Sequence, residues 1–145
     1  MDTVKIFSDG AARGNPGPSA IGLTIESLDG KKSYREFIGY ATNNEAEYKA
    51  LIFALQKVKL LHGKMRSKKL VLECYLDSEL VVRQMNHEYK INDENIQKFF
   101  LQIWNLATDF KEVKYFHIPR SKNSEADRLA NLALDEATLA QTRIF

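Results

Sequence analysis

The seven residues Leu70 to Leu76 read Leu-Val-Leu-Glu-Cys-Tyr-Leu, with Lys68 and Lys69 before them and Asp77 after. A short, mostly apolar run of this kind is what a central strand of a sheet needs. The flanking sequence supplies the helices to cover it. Thr42-Asn43-Asn44-Glu45 fits a capping box, with Thr42 at the N-cap and Glu45 three residues on, and predicts a helix to about Leu61 whose inward face carries Leu51, Ala54, Leu55 and Val58. After the apolar run, Ser78 to Asn86 resumes helical spacing through Leu80, Val81 and Met85. Ile96, Phe99, Phe100, Ile103, Leu106 and Phe110 recur every three or four residues and predict a helix over Asp93 to Phe110. Trp104 lies beside this stripe, at a core or rim position.

The ends of the chain complete an α/β pattern. Val4 to Ser8 reads as a strand that ends at Asp9 and enters a glycine- and proline-rich loop, Gly10 to Pro18. Ala20 to Leu28 and Ser33 to Tyr40 form a hairpin through Asp29-Gly30. Val113 to Ile118 is a last strand and Asn123 to about Leu139 a last helix. A chain of 145 residues, 44% apolar, is the size of one compact domain, and a single domain over residues 1–145 is expected, with about 140–145 as a flexible or docking tail. There is no 20-residue apolar run and no basic-then-apolar leader, so the expectation is a cytoplasmic protein without a membrane partner. Cys74, the only cysteine, lies in the apolar run and reads as a buried thiol; the histidines at 62, 87 and 117 show no zinc spacing. Net charge is only +2, yet no acid occurs from Tyr48 to Leu72, where Lys49, Lys57, Lys59, Lys64, Arg66, Lys68 and Lys69 all do. That field is either a solvated helix face and loop or a surface for a polyanion.

Four acids stand where buried elements meet exposed edges: Asp9, Glu47, Asp77 and Asp127. Each has a local explanation except one. Asp9 could start a turn with Gly10, Asp77 could cap the helix that follows, and Asp127 could be the third residue of a capping box headed by Ser124. Glu47 lies on the inward stripe with Leu51 and Ala54, and the capping role already belongs to Glu45. Two of the acids follow strands and two lie in first helical turns, so one sheet could gather all four at a common edge. Carboxylates gathered beside a core repel one another unless divalent cations sit between them.

The residues around these acids resemble the type 1 ribonucleases H. Asp9-Gly10-Ala11-Ala12-Arg13-Gly14-Asn15-Pro16-Gly17-Pro18 is similar to that family's opening block and Thr42-Asn43-Asn44-Glu45-Ala46-Glu47 to its helix start. Asp77-Ser78 and Asn123-Ser124-Glu125-Ala126-Asp127-Arg128-Leu129-Ala130 are similar to the third and fourth blocks, in family order. The resemblance implies a five-stranded mixed sheet in order 3-2-1-4-5 with helices on both faces. It implies a monomeric endonuclease that cuts the RNA strand of RNA/DNA hybrids, leaving 5′-phosphate and 3′-hydroxyl ends, with duplex RNA as a further candidate substrate. It also implies two Mg²⁺ ions, with Mn²⁺ as a substitute, Asp9 bridging both and Glu47, Asp77 and Asp127 completing the set; four carboxylates leave positions free for phosphate oxygens.

By the same resemblance Asn15 and Asn43 line the groove and Thr42 holds a DNA phosphate. Asn44, whose amide can read 2′-hydroxyls, and Arg13 join them as candidate substrate contacts. Capping the helix start is the competing role for Asn43 and Asn44. Three departures stand out. Asn86 to Asn92 replaces a lysine-rich helical protrusion, which shifts binding toward Lys57 to Lys69 or to Arg120 and Lys122. Glu79 stands where some relatives place a substrate-contacting glutamine. The mobile histidine that aids product release has two candidate equivalents, His117 and Arg120. A binding module that does not cleave is the alternative; a phosphotransferase is disfavoured because the glycine loop lacks a G-x-x-x-x-G-K-[ST] pattern.

Overall fold

The computed structural model describes residues 2–144, with the side chains of 142–144 left aside. Its elements are β1 (Thr3–Ala12), β2 (Gly17–Ser27), β3 (Gly30–Ala41), α1 (Asn43–His62), α2 (Lys64–Ser67), β4 (Val71–Leu76), α3 (Glu79–Met85), α4 (Glu94–Ala107), β5 (Glu112–His117), one 3-10 turn (Arg120–Lys122) and α5 (Ser124–Ile144). The strands form one mixed sheet in the order β3-β2-β1-β4-β5, as the resemblance implied. The first three are antiparallel neighbours; β4 joins β1 and β5 joins β4 in parallel.

Alternation along each strand divides the core between two helical layers. Val4, Ile6, Leu72, Cys74 and Leu76 are buried with Leu51, Ala54, Leu55 and Val58 of α1. The stripe of α4 follows, with Ile96 and Ile103 buried and Phe99, Phe100 and Leu106 packed against the core, while Trp104 is 54% exposed on the outer side. On the opposite face α5 crosses β1, β2 and β3. That leaves Glu73 and Tyr75 of β4 only half-buried, so the central strand is fully covered on one face alone. The bare sector carries a stack of Phe7, Tyr75 and Phe116 rings, with centroids 5.0 and 5.3 Å apart.

Local chemistry explains most boundaries. Thr42 forms the expected capping box: its hydroxyl accepts from Glu45 N at 3.1 Å and Glu45 Oε1 accepts from Thr42 N at 2.9 Å. Asn43 and Asn44 therefore do not cap α1. Gly30, at φ 110°, opens β3 after the Asp29 turn. Several expectations need correction. β1 does not end at Asp9; pairing with β2 carries it to Ala12, opposite Ser19, and the glycine-rich loop shrinks accordingly. Asp77 does not cap α3, because the Ser78 side chain accepts from Val81 N. Asp127 is not in a capping box, since Ser124 is already helical and Asn123 O accepts the Asp127 N–H at 3.1 Å. α5 runs on to Ile144, and a docking role for Gln141 to Phe145 falls largely outside the described residues.

Cys74 is fully buried, and burial pushes its thiol up to about 12. The basic stretch is partly spent within the fold: Lys59 pairs with Asp109 at 2.9 Å, Arg66 with Asp29 at 3.2 Å, and Lys57 lies over the Tyr34 and Phe53 rings. No helix among the described residues is long and apolar enough to cross a membrane.

One glycine in β2 sets the position of α5. A Cβ on Gly22 would collide with the Ala126 carbonyl and stand 2.6 Å from Ala130 N and 2.8 Å from Leu129 Cβ, so the helix backbone lies directly on the strand. Gly22→Ala is expected to cost about 1–3 kcal/mol, the usual range for overpacking against a backbone that cannot yield. Urea denaturation measures this; an unchanged midpoint would refute the tight docking.

Candidate active site

The parallel ladder between β1 and β4 stops at Phe7 and Tyr75, whereas β1 stays paired with β2 as far as Ala12. A fork opens beyond that point, and the acids gather in it. Asp9 lies on β1 just past the last β4 pair, opposite Gly22 and 5% exposed. Asp77 follows the last residue of β4. Glu47 reaches in from α1 and is 8% exposed. α1 can come this close because Gly10 has no side chain: a Cβ there would meet the Ala46 backbone and lie 2.5 Å from Glu47 N. Carboxylate oxygens of Asp9, Glu47 and Asp77 all lie within 4.8 Å of one another.

Asp127 stands at the rim of this cluster. It is half-buried on α5 and near enough to Asp9 to act on it by charge and by hydrogen bonding. Asn131 Nδ2 donates to Asp127 Oδ1 at 3.3 Å, and Arg120 Nη2 lies 3.9 Å from the same oxygen.

The electrostatics follow from burial and crowding. Desolvation pushes Asp9 from 3.8 up to about 7; a hydrogen bond from Glu47 opposes the rise, and Asp77 and Asp127 add to it. Glu47 is driven well above the ordinary carboxylate range, first by burial and then by the Asp9 charge, while the Gly10 N–H pulls it back. Two full charges about 4 Å apart repel by about 4 kcal/mol at an effective dielectric near 20. Without a cation, the pair therefore holds a proton more readily than an isolated carboxylate does. Glu47 Oε2 is buried and has no hydrogen-bond partner among the described residues.

The remaining candidates divide into two groups. Asn15 Oδ1 accepts from Asn43 N at 3.0 Å, and Asn43 Oδ1 accepts from Ala12 N at 3.2 Å, which ties the glycine loop to the start of α1. Asn15, Thr42, Asn43 and Asn44 line an open cleft with Gln84 and Asn95. Arg13 instead turns toward α5, where it pairs with Asp135 at 2.6 Å and donates to Asn131 O at 3.4 Å. Glu79 pairs with Arg83 of its own helix at 2.8 Å. His117 is the exposed last residue of β5, whereas Arg120 is 83% exposed and lies beside Asp127.

Sequence reasoning passed over Gly22, Asn131, and Asn123 as a residue with its own task. A glycine inside a strand pattern is a readable sign of close backbone approach. The two asparagines carry no comparable signal, because their partners are distant in the chain or part of the helix itself.

The model of a family described as reverse transcriptase-like matches residues 7–133. The chain is 39% identical over 137 residues to the bifunctional protein Rv2228c of Mycobacterium tuberculosis, covering 92% of this chain and 36% of that one. It thus spans about a third of the length of that relative. Ribonuclease HI of Halobacterium salinarum is 39% identical over 136 residues, covering 92% of this chain and 65% of the relative. The crystal structure of RNase H1 from that archaeon superposes with a TM-score of 0.84 at 38% identity, covering 92% of this chain and 98% of the other. LC11-RNase H1, solved in complex with RNA/DNA hybrid, gives a TM-score of 0.86 at 38% identity, covering 93% and 99%. A family match over most of the chain, the sheet order and these likenesses together show that the chain belongs to the reverse transcriptase-like family and, within it, to the type 1 ribonucleases H.

Proposed function

We propose that this protein is an endoribonuclease that hydrolyses the RNA strand of RNA/DNA hybrids, leaving 5′-phosphate and 3′-hydroxyl ends, and that it works as a monomer in the cytoplasm. The observation that carries this reading is the cluster of three carboxylates within 4.8 Å, brought together from three separate parts of the chain and with one buried oxygen left without a partner among the described residues. Its chemistry suits a hard divalent cation: the donors are all carboxylate oxygens, and Glu47 Oε2 would be available to hold one. In the proposal Asp9, Glu47, Asp77 and Asp127 hold two Mg²⁺ ions, which Mn²⁺ can replace. Such ions supply Lewis acidity toward the phosphate and acidify a bound water.

The protein's own groups supply position and selectivity. Asn15, Asn43 and Asn44 line the open cleft at the start of α1, where their amide groups can donate to and accept from 2′-hydroxyls. Thr42 takes a DNA phosphate at the start of α1, whose N–H groups favour an anion. Arg13 and Glu79 are already engaged in ion pairs, so a substrate contact from either requires exchange of partners. Arg120 beside Asp127 is the better placed of the two loop candidates to assist turnover, with His117 the other. Only eight residues, 86–93, join α3 to α4, so hybrid binding falls to the cleft and to basic groups such as Lys122.

Labelled hybrid, duplex RNA and duplex DNA, each with Mg²⁺, Mn²⁺ or chelator, test the proposal. Cleavage of the hybrid RNA strand with metal, and none in chelator, is expected; hybrid binding without any cleavage would favour a non-catalytic module. Asp77→Asn is expected to stay folded and lose more than the about 10–100-fold that removing an outer hydrogen-bond partner of a metal ligand costs. A purified Asp77→Asn enzyme with wild-type turnover refutes the assignment.

The raised acids also give a stability signature. Between about pH 4 and pH 7 the folded state binds protons at Asp9 that the unfolded chain releases, and Glu47 acts in the same direction. Stability from these groups is present at low pH and lost as pH rises. In chelator the melting temperature is therefore expected to be lower near pH 8 than near pH 5, and Mg²⁺ to raise it near pH 8 with little effect near pH 5. Asp9→Asn should weaken both dependences, and a Mg²⁺ response that is the same at the two pH values contradicts the cluster as described.

A further inference from the structure

We infer that Asn123 is a positioning residue of the carboxylate cluster, fixing the Asp77 carboxylate through its side chain and the start of the Asp127 helix through its main chain. Asn123 is 1% exposed and sits between the 3-10 turn and α5. Its Nδ2 donates to Ser8 O at 2.9 Å and to Asp77 Oδ2 at 3.3 Å. Ser8 precedes Asp9, at the level where the β1–β4 ladder has ended. The asparagine amide therefore stands in the fork in place of a missing strand, with one hydrogen on β1 and the other on the acid that follows β4.

The orientation of this amide is not interchangeable. With the group flipped, its oxygen would face the Ser8 carbonyl and the Asp77 carboxylate, both of which only accept hydrogen bonds. The backbone is committed as well. Asn123 N donates to Arg120 O at 3.0 Å, and Asn123 O accepts from Asp127 N at 3.1 Å. One buried residue thus links two of the four acids to β1, which carries a third. Of its polar atoms only Oδ1 lacks a partner among the described residues, although it is buried. Leaving such an atom unsatisfied costs free energy, which the two hydrogen bonds donated by Nδ2 offset.

The inference rests on the proposed metal-dependent reaction, and its test reads metal binding separately from catalysis. Asn123→Ala removes both donors. Asn123→Asp sets a second carboxylate against Asp77. For variants whose circular dichroism and melting curves show a folded protein, Mg²⁺ affinity is measured by calorimetry, and kcat and KM on a hybrid substrate by initial rates. A residue that only supports the fold shifts the melting temperature and leaves Mg²⁺ affinity alone. Positioning predicts a Mg²⁺ Kd raised about 10- to 100-fold, the range for outer partners of metal ligands, with the Asp variant worse than the Ala variant. KM for the hybrid should stay within about twofold, because the amide does not line the cleft.

Folded variants with wild-type Mg²⁺ affinity overturn the inference. Where neither variant folds, the wild-type protein decides: on Mg²⁺ titration the ¹⁵N side-chain amide signal of Asn123 should shift together with the Gly10 backbone signal. An Asn123 signal that stays still while Gly10 moves also overturns it. A wild-type protein that binds no Mg²⁺ removes the nuclease reading itself, whereas wild-type binding with unaltered variants removes the role of Asn123 alone.

Discussion

The acids meet because one strand pairing stops before another. β1 leaves β4 after Phe7 and Tyr75 but remains held by β2 to Ala12, so the backbone on one side of Asp9 is fixed and the other side is open. Into that opening come the residue after β4, a glutamate from α1 and the first turns of α5. The two helices could not come so close if the strands carried ordinary side chains at two places. Gly10 admits α1 and Gly22 admits α5, each by letting helix backbone rest on strand backbone. Asp9 lies between them, next to Gly10 in the chain and across from Gly22 in the sheet.

This arrangement works against the stability of the protein without metal. Burial and mutual repulsion lift Asp9 and Glu47 far from their ordinary range, and a rigid scaffold prevents them from moving apart. Contacts at the edge of the cluster steady it: Asn131 on Asp127, Asn123 on Asp77, and the Gly10 N–H on Glu47. The hydrophobic layer between the sheet and α1 lies directly beneath, which is why these groups cannot relax into solvent. A cation that enters would be met by oxygens already placed.

Much of the fold was legible because the relevant forces act over a few residues. The Thr42 and Glu45 capping box, the Asp29-Gly30 hairpin, the α4 stripe and the apolar run of β4 each depend on neighbours three or four positions away, or on simple alternation. Where reading failed, a distant partner had intervened. β1 runs past Asp9 because β2 supports it as far as Ala12. Local chemistry offered Asp77 and Asp127 as caps. In the structure Ser78 and Asn123 occupy the helix starts, which leaves both carboxylates unused for capping.

The identity and order of the acids, the inward aim of Glu47, the Glu45 cap that leaves it unoccupied and the asparagines one turn before it can all be read along the chain. Those are properties of residue type and short spacing. Tertiary structure alone decided that three carboxylates meet within 4.8 Å while Asp127 stands at the rim. It also decided that Arg13 turns to α5 rather than to the cleft, and that Arg120 rather than His117 lies against an acid. Distances of that kind depend on where two ladders end and how closely two helices approach a strand. No spacing along the chain encodes them.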